Sequence, residues 1–186
     1  NYLIFQINSS TILVEVIGMH VRASEIKDLS RVMDLINQAK EYFKENDIAQ
    51  WQKGYPDLST ILDDIMKGNS YVLSKHSYIY GTMHFIIGIE PSYVRIYNGH
   101  WLTDTRQYGI IHRFAIDNNH KGHGCAKLLL DYAVNICKQS DIPSIRLDIQ
   151  KNNKSMKEFV LKNGFKYCGL IRLRNNEERE AYERII

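Results

Sequence analysis

The stretch Phe114 to Ala126 (FAIDNNHKGHGCA) holds the residues whose types and spacing bear most directly on chemistry. Gly122 and Gly124 stand one residue apart where an apolar helical pattern begins. Glycines there let the main chain curl tightly, so that several amide N–H groups point into one concavity at the positive end of the helix dipole. Such a concavity takes a phosphate or pyrophosphate, and Lys121, His123 and Lys127 add charge beside it. The bland alternative is that the two glycines only form a tight helix start. Spacing separates this loop from other phosphate loops. A Walker loop needs Gly-x-x-x-x-Gly-Lys-Ser/Thr, which is absent, and a dinucleotide fingerprint needs a third glycine where Lys127 stands. His120, His123 and Cys125 share one loop with no distant carboxylate or cysteine pair, so no metal is expected.

Two further sets of residues are candidates. His112 sits on the strand before the loop and is either a packed histidine or a general base. Trp51 and Tyr55, in the segment IAQWQKGYP, either cap the edge of the core or wall an acceptor pocket beside a flexible turn.

These residues need elements to hold them. Ser24 is a plausible N-cap, and Ile26, Leu29, Met33 and Ile36 with Val32, Leu35 and Ala39 follow helical spacing, predicting a first helix to about Glu45. Asp57 or Ser59 caps a second helix ending at Gly68. The period then changes to two, predicting a hairpin from Ser70 to Ile87. Gly88 to Tyr108 is irregular and aromatic. A strand over Gly109 to Ile116 leads into a helix opening near Gly122 or Gly124, with Ala126, Leu129, Leu130, Ala133, Ile136 and Cys137 on one face. A strand over Ser144 to Ile149, a helix from Asn153 to Lys162 stopped by Gly164, and strands over Phe165 to Leu173 and Glu180 to Ile186 complete the chain. Hairpins followed by one βαβ crossover predict an α+β domain, a mixed, largely antiparallel sheet with helices on both faces.

At 186 residues the chain fits one domain, assigned to residues 19–186 behind an extension, residues 1–18, read as an extra strand or a non-native leader. With 44% hydrophobic and 24% charged residues it is expected to fold as a soluble globule. The formal charge of +3 arises from 24 basic and 21 acidic side chains scattered in both signs, which argues against a nucleic-acid partner. No apolar run reaches the roughly 18 residues a membrane span requires. Three cysteines without paired spacing (Cys125, Cys137, Cys168) point to reduced thiols and the cytoplasm. The apolar N-terminus and the aromatics near Tyr97 and Trp101 suggest a homodimer contact.

Two segments together resemble the GNAT superfamily of acyl-CoA-dependent N-acetyltransferases. Asn119-His120-Lys121-Gly122-His123-Gly124 is similar to its pyrophosphate signature, with Asn119 where the family has Gln or Arg. Asn153-Lys154-Ser155-Met156, closing in Asn163-Gly164-Phe165, is similar to its Asn-x-x-Ala segment. The resemblance covers roughly Val21 to Ile186. It implies that acetyl-CoA is the co-substrate, with its pyrophosphate on the amides of Lys121, Gly122, His123, Gly124, Cys125 and Ala126. Its pantetheine arm would lie along Phe114, Ala115 and Ile116, with Asn153 holding the other side. The acetyl group would pass to a primary amine of a small molecule or peptide. The glutamate that histone-type members carry falls on Ile110, and the tyrosine acid of many members falls on Val160. His112 and Tyr167 are the substitutes for base and acid, with Tyr132 and Cys168 behind them. The same two vacancies leave open a catalytically degenerate acyl-CoA-binding or sensing module.

Overall fold

The computed structural model describes residues 18–186. The extension over residues 1–17 lies outside them. Among the described residues a seven-stranded sheet runs in the order β1-β2-β3-β4-β5-β7-β6. Its strands are β1 (His20–Ala23), β2 (Ser70–Lys75), β3 (Tyr78–Gly88), β4 (Tyr108–Ile116), β5 (Ser144–Ile149), β6 (Lys166–Arg172) and β7 (Glu178–Ile185). Every neighbouring pair is antiparallel except β4 and β5, which are parallel across the crossover helix. The expected α+β architecture is therefore the one observed.

Strand alternation sends successive side chains to opposite faces. Val72 joins one core with Val32, Leu35, Ile36, Ile61 and Ile65, from helices α1 (Leu29–Glu45) and α2 (Leu58–Met66). Its neighbour Leu73 joins another core with Leu129, Leu130, Ala133 and Val160, from α3 (Cys125–Gln139) and α4 (Lys154–Lys162). The first helix starts later than its capping residue suggested. Ser24 Oγ is bonded to Ser70 Oγ at 2.8 Å, and a 3-10 turn at Ile26–Asp28 precedes α1. Asp57 does cap α2, accepting from the Thr60 amide at 2.8 Å.

The irregular stretch between β3 and β4 is fixed by a buried charge. Glu183 on β7 is 0% exposed and accepts from Ser144 Oγ (2.6 Å), Thr103 Oγ1 (2.6 Å) and Arg146 Nε (2.9 Å), as well as from the Leu102 amide. Burial alone would raise the pKa of Glu183, but these donors outweigh it and hold the carboxyl below its ordinary range. The Arg146 guanidinium lies over the rings of Trp101 (4.4 Å) and Tyr108 (4.0 Å). Trp101 also donates its indole N–H to the Tyr93 carbonyl at 2.9 Å, and Tyr97 bridges to Leu170 on β6. Both aromatics, half-buried, also make contacts within the chain.

Arg146→Met should leave Glu183 as an unpaired buried carboxylate and reduce unfolding free energy by about 3–5 kcal/mol in urea titrations. Adding Glu183→Gln to that variant should recover a substantial part of the loss, because a neutral amide still meets the Ser144 and Thr103 hydroxyls.

Candidate active site

The parallel pairing of β4 with β5 covers only Gly109 with Ile145 and Ile110 with Arg146. A side chain at Gly109 would meet Cys137 Sγ at 2.8 Å and Ile145 and Phe85 at 3.0 Å, so only glycine permits this close approach. Beyond Ile110 the strands part. On the other side of β4, Thr82 faces Ala115 and His84 faces His112, so β4 carries one residue more than β3 over the same span. That is a β-bulge, and Arg113 within it has φ 47°, a left-handed conformation unfavourable for a non-glycine residue. Arg113 is held there by Asp64 of α2, to which Nε donates at 2.6 Å and Nη2 at 2.8 Å, while Nη1 donates to the Tyr55 hydroxyl.

The parting opens a cavity of about 780 Å3. Trp51 and Tyr55 from the α1–α2 connection, His112, Arg113 and Phe114 from β4, Asp148 from β5 and Asn153 at the start of α4 all line it. Trp51 packs edge-on against Phe43, with ring centroids 5.3 Å apart. Asn153 caps α4, its side chain accepting from the Met156 amide at 3.1 Å. His84 and Glu90 line the same cavity.

Polar contacts order this wall. His112 Nε2 is 3.4 Å from Glu90 Oε2, and Nδ1 is 4.0 Å from Asp148 Oδ1. Glu90 is held in turn by the Ser92 amide at 3.2 Å, and the His112 hydrogen bond is the largest cause lowering its pKa. Asp148 Oδ1 accepts from the Tyr93 hydroxyl at 2.7 Å, and Oδ2 lies 3.6 Å from Arg179 Nε. With Nε2 directed at the nearer carboxylate, the proton of neutral His112 belongs there and Nδ1 keeps its lone pair. One carboxylate thus orients the ring, and a second lies near its other nitrogen.

The glycine turn follows β4 in the chain. Gly122 and Gly124 have φ 81° and 85°, and Gly124 is the N-cap of α3. Asp117 braces this loop. It accepts from the Arg31 guanidinium, from Tyr78 at 2.8 Å and from the Asn119 amide at 2.9 Å. Burial would raise its pKa, yet these donors bring it down to about 2. Lys121 Nζ stands 4.2 Å above the Tyr42 ring. Cys125 turns into the core, 1% exposed, whereas Phe114 packs on Phe159, with ring centroids 5.8 Å apart.

The structure thus gathers His112, Phe114, Asn153, Trp51 and Tyr55 around one cavity but leaves Tyr167 outside it. Tyr167 is 50% exposed on β6, against the Tyr182 ring. Ile110 and Val160, the positions where glutamate and tyrosine would stand, are 0% exposed and belong to the core. Glu90, Asp148, Asp64, Arg113 and His84 were missed by sequence reasoning. Only His84 carried a legible signal, as an alternating strand residue.

These features coincide with those of known proteins. The profile described as the acetyltransferase (GNAT) family matches residues 36–165. The chain belongs to the GNAT acetyltransferase family. A GNAT-family acetyltransferase from Streptococcus agalactiae is 32% identical with a TM-score of 0.83, covering 91% of this chain and 96% of that one. A GNAT-family acetyltransferase from Listeria monocytogenes has the same fold at 18% identity and a TM-score of 0.69, covering 90% and 95% of the two chains. The PaiA N-acetyltransferase of Thermoplasma acidophilum, solved with coenzyme A, is 17% identical with a TM-score of 0.67, covering 91% and 100%. The search of curated protein sequences gave no match. Among the described residues no helix is long and apolar enough to cross a membrane.

His84 generates a pH prediction. Burial first, then the positive Arg113 and the neighbouring His112, push its pKa from 6.5 down to about 3. Asp64, 3.6 Å from its Nε2, is the facing carboxylate. Between those two values the unfolded chain binds a proton that the folded chain refuses, so stability falls as pH is lowered through this window. The contribution is about 2 kcal/mol by pH 5. His84→Phe should therefore show a smaller drop in Tm between pH 7 and pH 5 than the unsubstituted protein, by scanning calorimetry.

Proposed function

We propose that the protein transfers the acetyl group of acetyl-CoA to a primary amine of a small molecule or peptide. The observation that carries this is the position of His112, oriented by Glu90 and Asp148, on the wall of the gap that opens where β4 leaves β5. The residues fit coenzyme A. The left-handed Gly122 and Gly124 place a helix N-terminus where a pyrophosphate would lie, and among the described residues β4 beyond Ile110 has no strand partner on the β5 side. Phe114, Ala115 and Ile116 would pair with the pantetheine amides, with Asn153 opposite. Acetyl-CoA supplies an acetyl group activated as its thioester.

The chain's own residues do the rest. His112 Nδ1 removes a proton from the amine as the carbon–nitrogen bond forms and the carbon–sulfur bond breaks, releasing coenzyme A. Asp148 stabilises the imidazolium that results, and Glu90 keeps the ring in place. A β4 main-chain amide donates to the carbonyl oxygen as negative charge gathers there. Trp51 and Tyr55 form the acceptor side, on the connection between α1 and α2. The protein works in the cytoplasm, consistent with three buried cysteines whose thiols need an environment that keeps them reduced.

His112→Gln should lower kcat by about 10²–10⁴-fold while leaving the KM for acetyl-CoA nearly unchanged, in a thiol-release assay over a panel of primary amines. Full activity in that variant would remove His112 from the mechanism. Binding of acetyl-CoA with no amine-dependent turnover in the unsubstituted protein would instead favour an acyl-CoA sensor. Gly124→Val should weaken acetyl-CoA binding at least about tenfold in titration calorimetry, because a β-branched residue resists the left-handed turn. Unchanged affinity would remove the glycine turn from the cofactor site.

A further inference from the structure

The cavity beside His112 carries two cations that the chemistry above does not use. Lys53, from the α1–α2 connection, and Arg174, from the turn between β6 and β7, both line it and both are exposed. Among the described residues, neither side chain has an ion pair, a hydrogen bond or a ring contact. The backbone at each is nonetheless held. Lys40 of α1 donates through Nζ to the Pro56 carbonyl at 2.6 Å, and its own carbonyl accepts from Gln52 Nε2 at 3.0 Å, so the residues on either side of Lys53 are tied to the helix. In the other turn the Leu173 amide donates to the Glu177 carbonyl and the Asn176 amide to the Leu173 carbonyl, each at 2.9 Å. Each cation thus stands on a braced turn.

The other charges of the cavity are balanced differently. Arg113 is neutralised by Asp64, which accepts two hydrogen bonds from it. Arg179 faces two carboxylates, with Nε 3.6 Å from Asp148 and Nη1 3.0 Å from Glu177, and Glu90 lies beside His112. Three carboxylates therefore meet one guanidinium, and their side chains are only 25% (Glu90), 13% (Asp148) and 34% (Glu177) exposed. The partly buried wall around His112 is consequently negative, and the exposed rim with Lys53 and Arg174 is positive. Coulomb energy favours an occupant polarised the opposite way. A negative wall suits an amino group, which is cationic in water and gathers positive charge again as its bond to the acetyl carbon forms. A positive rim suits a carboxylate.

We infer that the acceptor is a free amino acid, one small molecule carrying both the amine and a carboxylate, and that Arg174 and Lys53 are specificity-determining residues that bind the carboxylate while the amine meets His112. The inference rests on the acetyltransferase reading and adds to it the second group that the acceptor carries and the residues that read it. The Arg174 guanidinium offers a carboxylate two parallel N–H donors, and Lys53 adds a point charge.

The test measures thiol release at saturating acetyl-CoA, as kcat/KM for a series of amino acids from glycine to ε-aminocaproate. Each is paired with its own carboxamide and corrected for the fraction of neutral amine. In the unsubstituted protein the free acid should be favoured by about three- to thirtyfold at the best chain length, the range of two exposed ion pairs. That preference should shrink as KCl is raised to about 1 M, where exposed charges are screened. Arg174→Gln and Lys53→Gln should each lose part of it and the double substitution most of it, with the KM for acetyl-CoA unchanged.

Charge reversal gives a readout that a structural role would not move. Lys53→Glu combined with Arg174→Glu should turn the preference over, so that the diamine putrescine is acetylated faster than γ-aminobutyrate. Both side chains are exposed, so these variants should keep the Tm of the unsubstituted protein. Equal kcat/KM for acid and carboxamide in the unsubstituted protein, or a preference for the acid that survives charge reversal, overturns the inference while acetyl transfer itself stands. Binding of acetyl-CoA without transfer to any amine overturns the acetyltransferase reading, and this inference with it.

Discussion

Gly109 and Ile110 are the only β4 residues that pair with β5, and the cleft exists because the pairing stops there. A parallel ladder that continued would have filled the space with backbone hydrogen bonds. Two local features prevent it. At one end the absent side chain of Gly109 draws β4, β5 and α3 into close contact. A few residues on, the extra residue at Arg113 turns the strand away, and an ion pair to α2 keeps that residue in a conformation it would otherwise avoid. The same deviation thus creates a wedge between the strands and links one of its walls to the helical layer above.

The charges around the wedge are arranged so that few groups remain to be satisfied. Asp64 is matched by Arg113, Asp148 by Tyr93 and Arg179, and Glu90 by Ser92 and His112. Buried carboxylates are tolerated only with such partners, since an unpaired one would carry a large desolvation penalty. Asp64 shows the residual strain of this arrangement. Burial raises its pKa, and the Arg113 contacts only partly offset that.

The glycine turn and the Asn153 helix were legible in sequence and the polar wall was not, for a physical reason. A glycine turn at a helix start, and an asparagine cap followed by a helix and a glycine stop, are local devices. Their residues lie within a dozen positions of one another and carry a periodic signal. Trp51 and Tyr55 were also visible, as aromatics on a turn. The polar wall joins Asp64, His84, Glu90, His112 and Asp148, from five separate segments, and no spacing links them. Two misreadings have related causes. Ser24 looked like a cap, but a partner 46 residues away took its hydroxyl. Tyr167 was named as a substitute for the missing acid, but it stands outward on β6 while Cys168 goes in. The place of β7 between β5 and β6 is a topological fact with no local signature.

Glu183 also bears on when the polar wall around His112 takes shape. The contacts that anchor Leu102 and Thr103 reach a carboxylate 80 and 81 residues further along the chain, and closing so long a loop carries an entropy that nearby contacts avoid. Glu90 and Tyr93 sit in the segment that this anchor secures, so the order around His112 is completed only once β7 has joined the sheet. On a growing polypeptide the glycine turn and its helix emerge from the ribosome well before β7. The glycine turn is therefore in place while the polar wall around His112 still lacks its anchor.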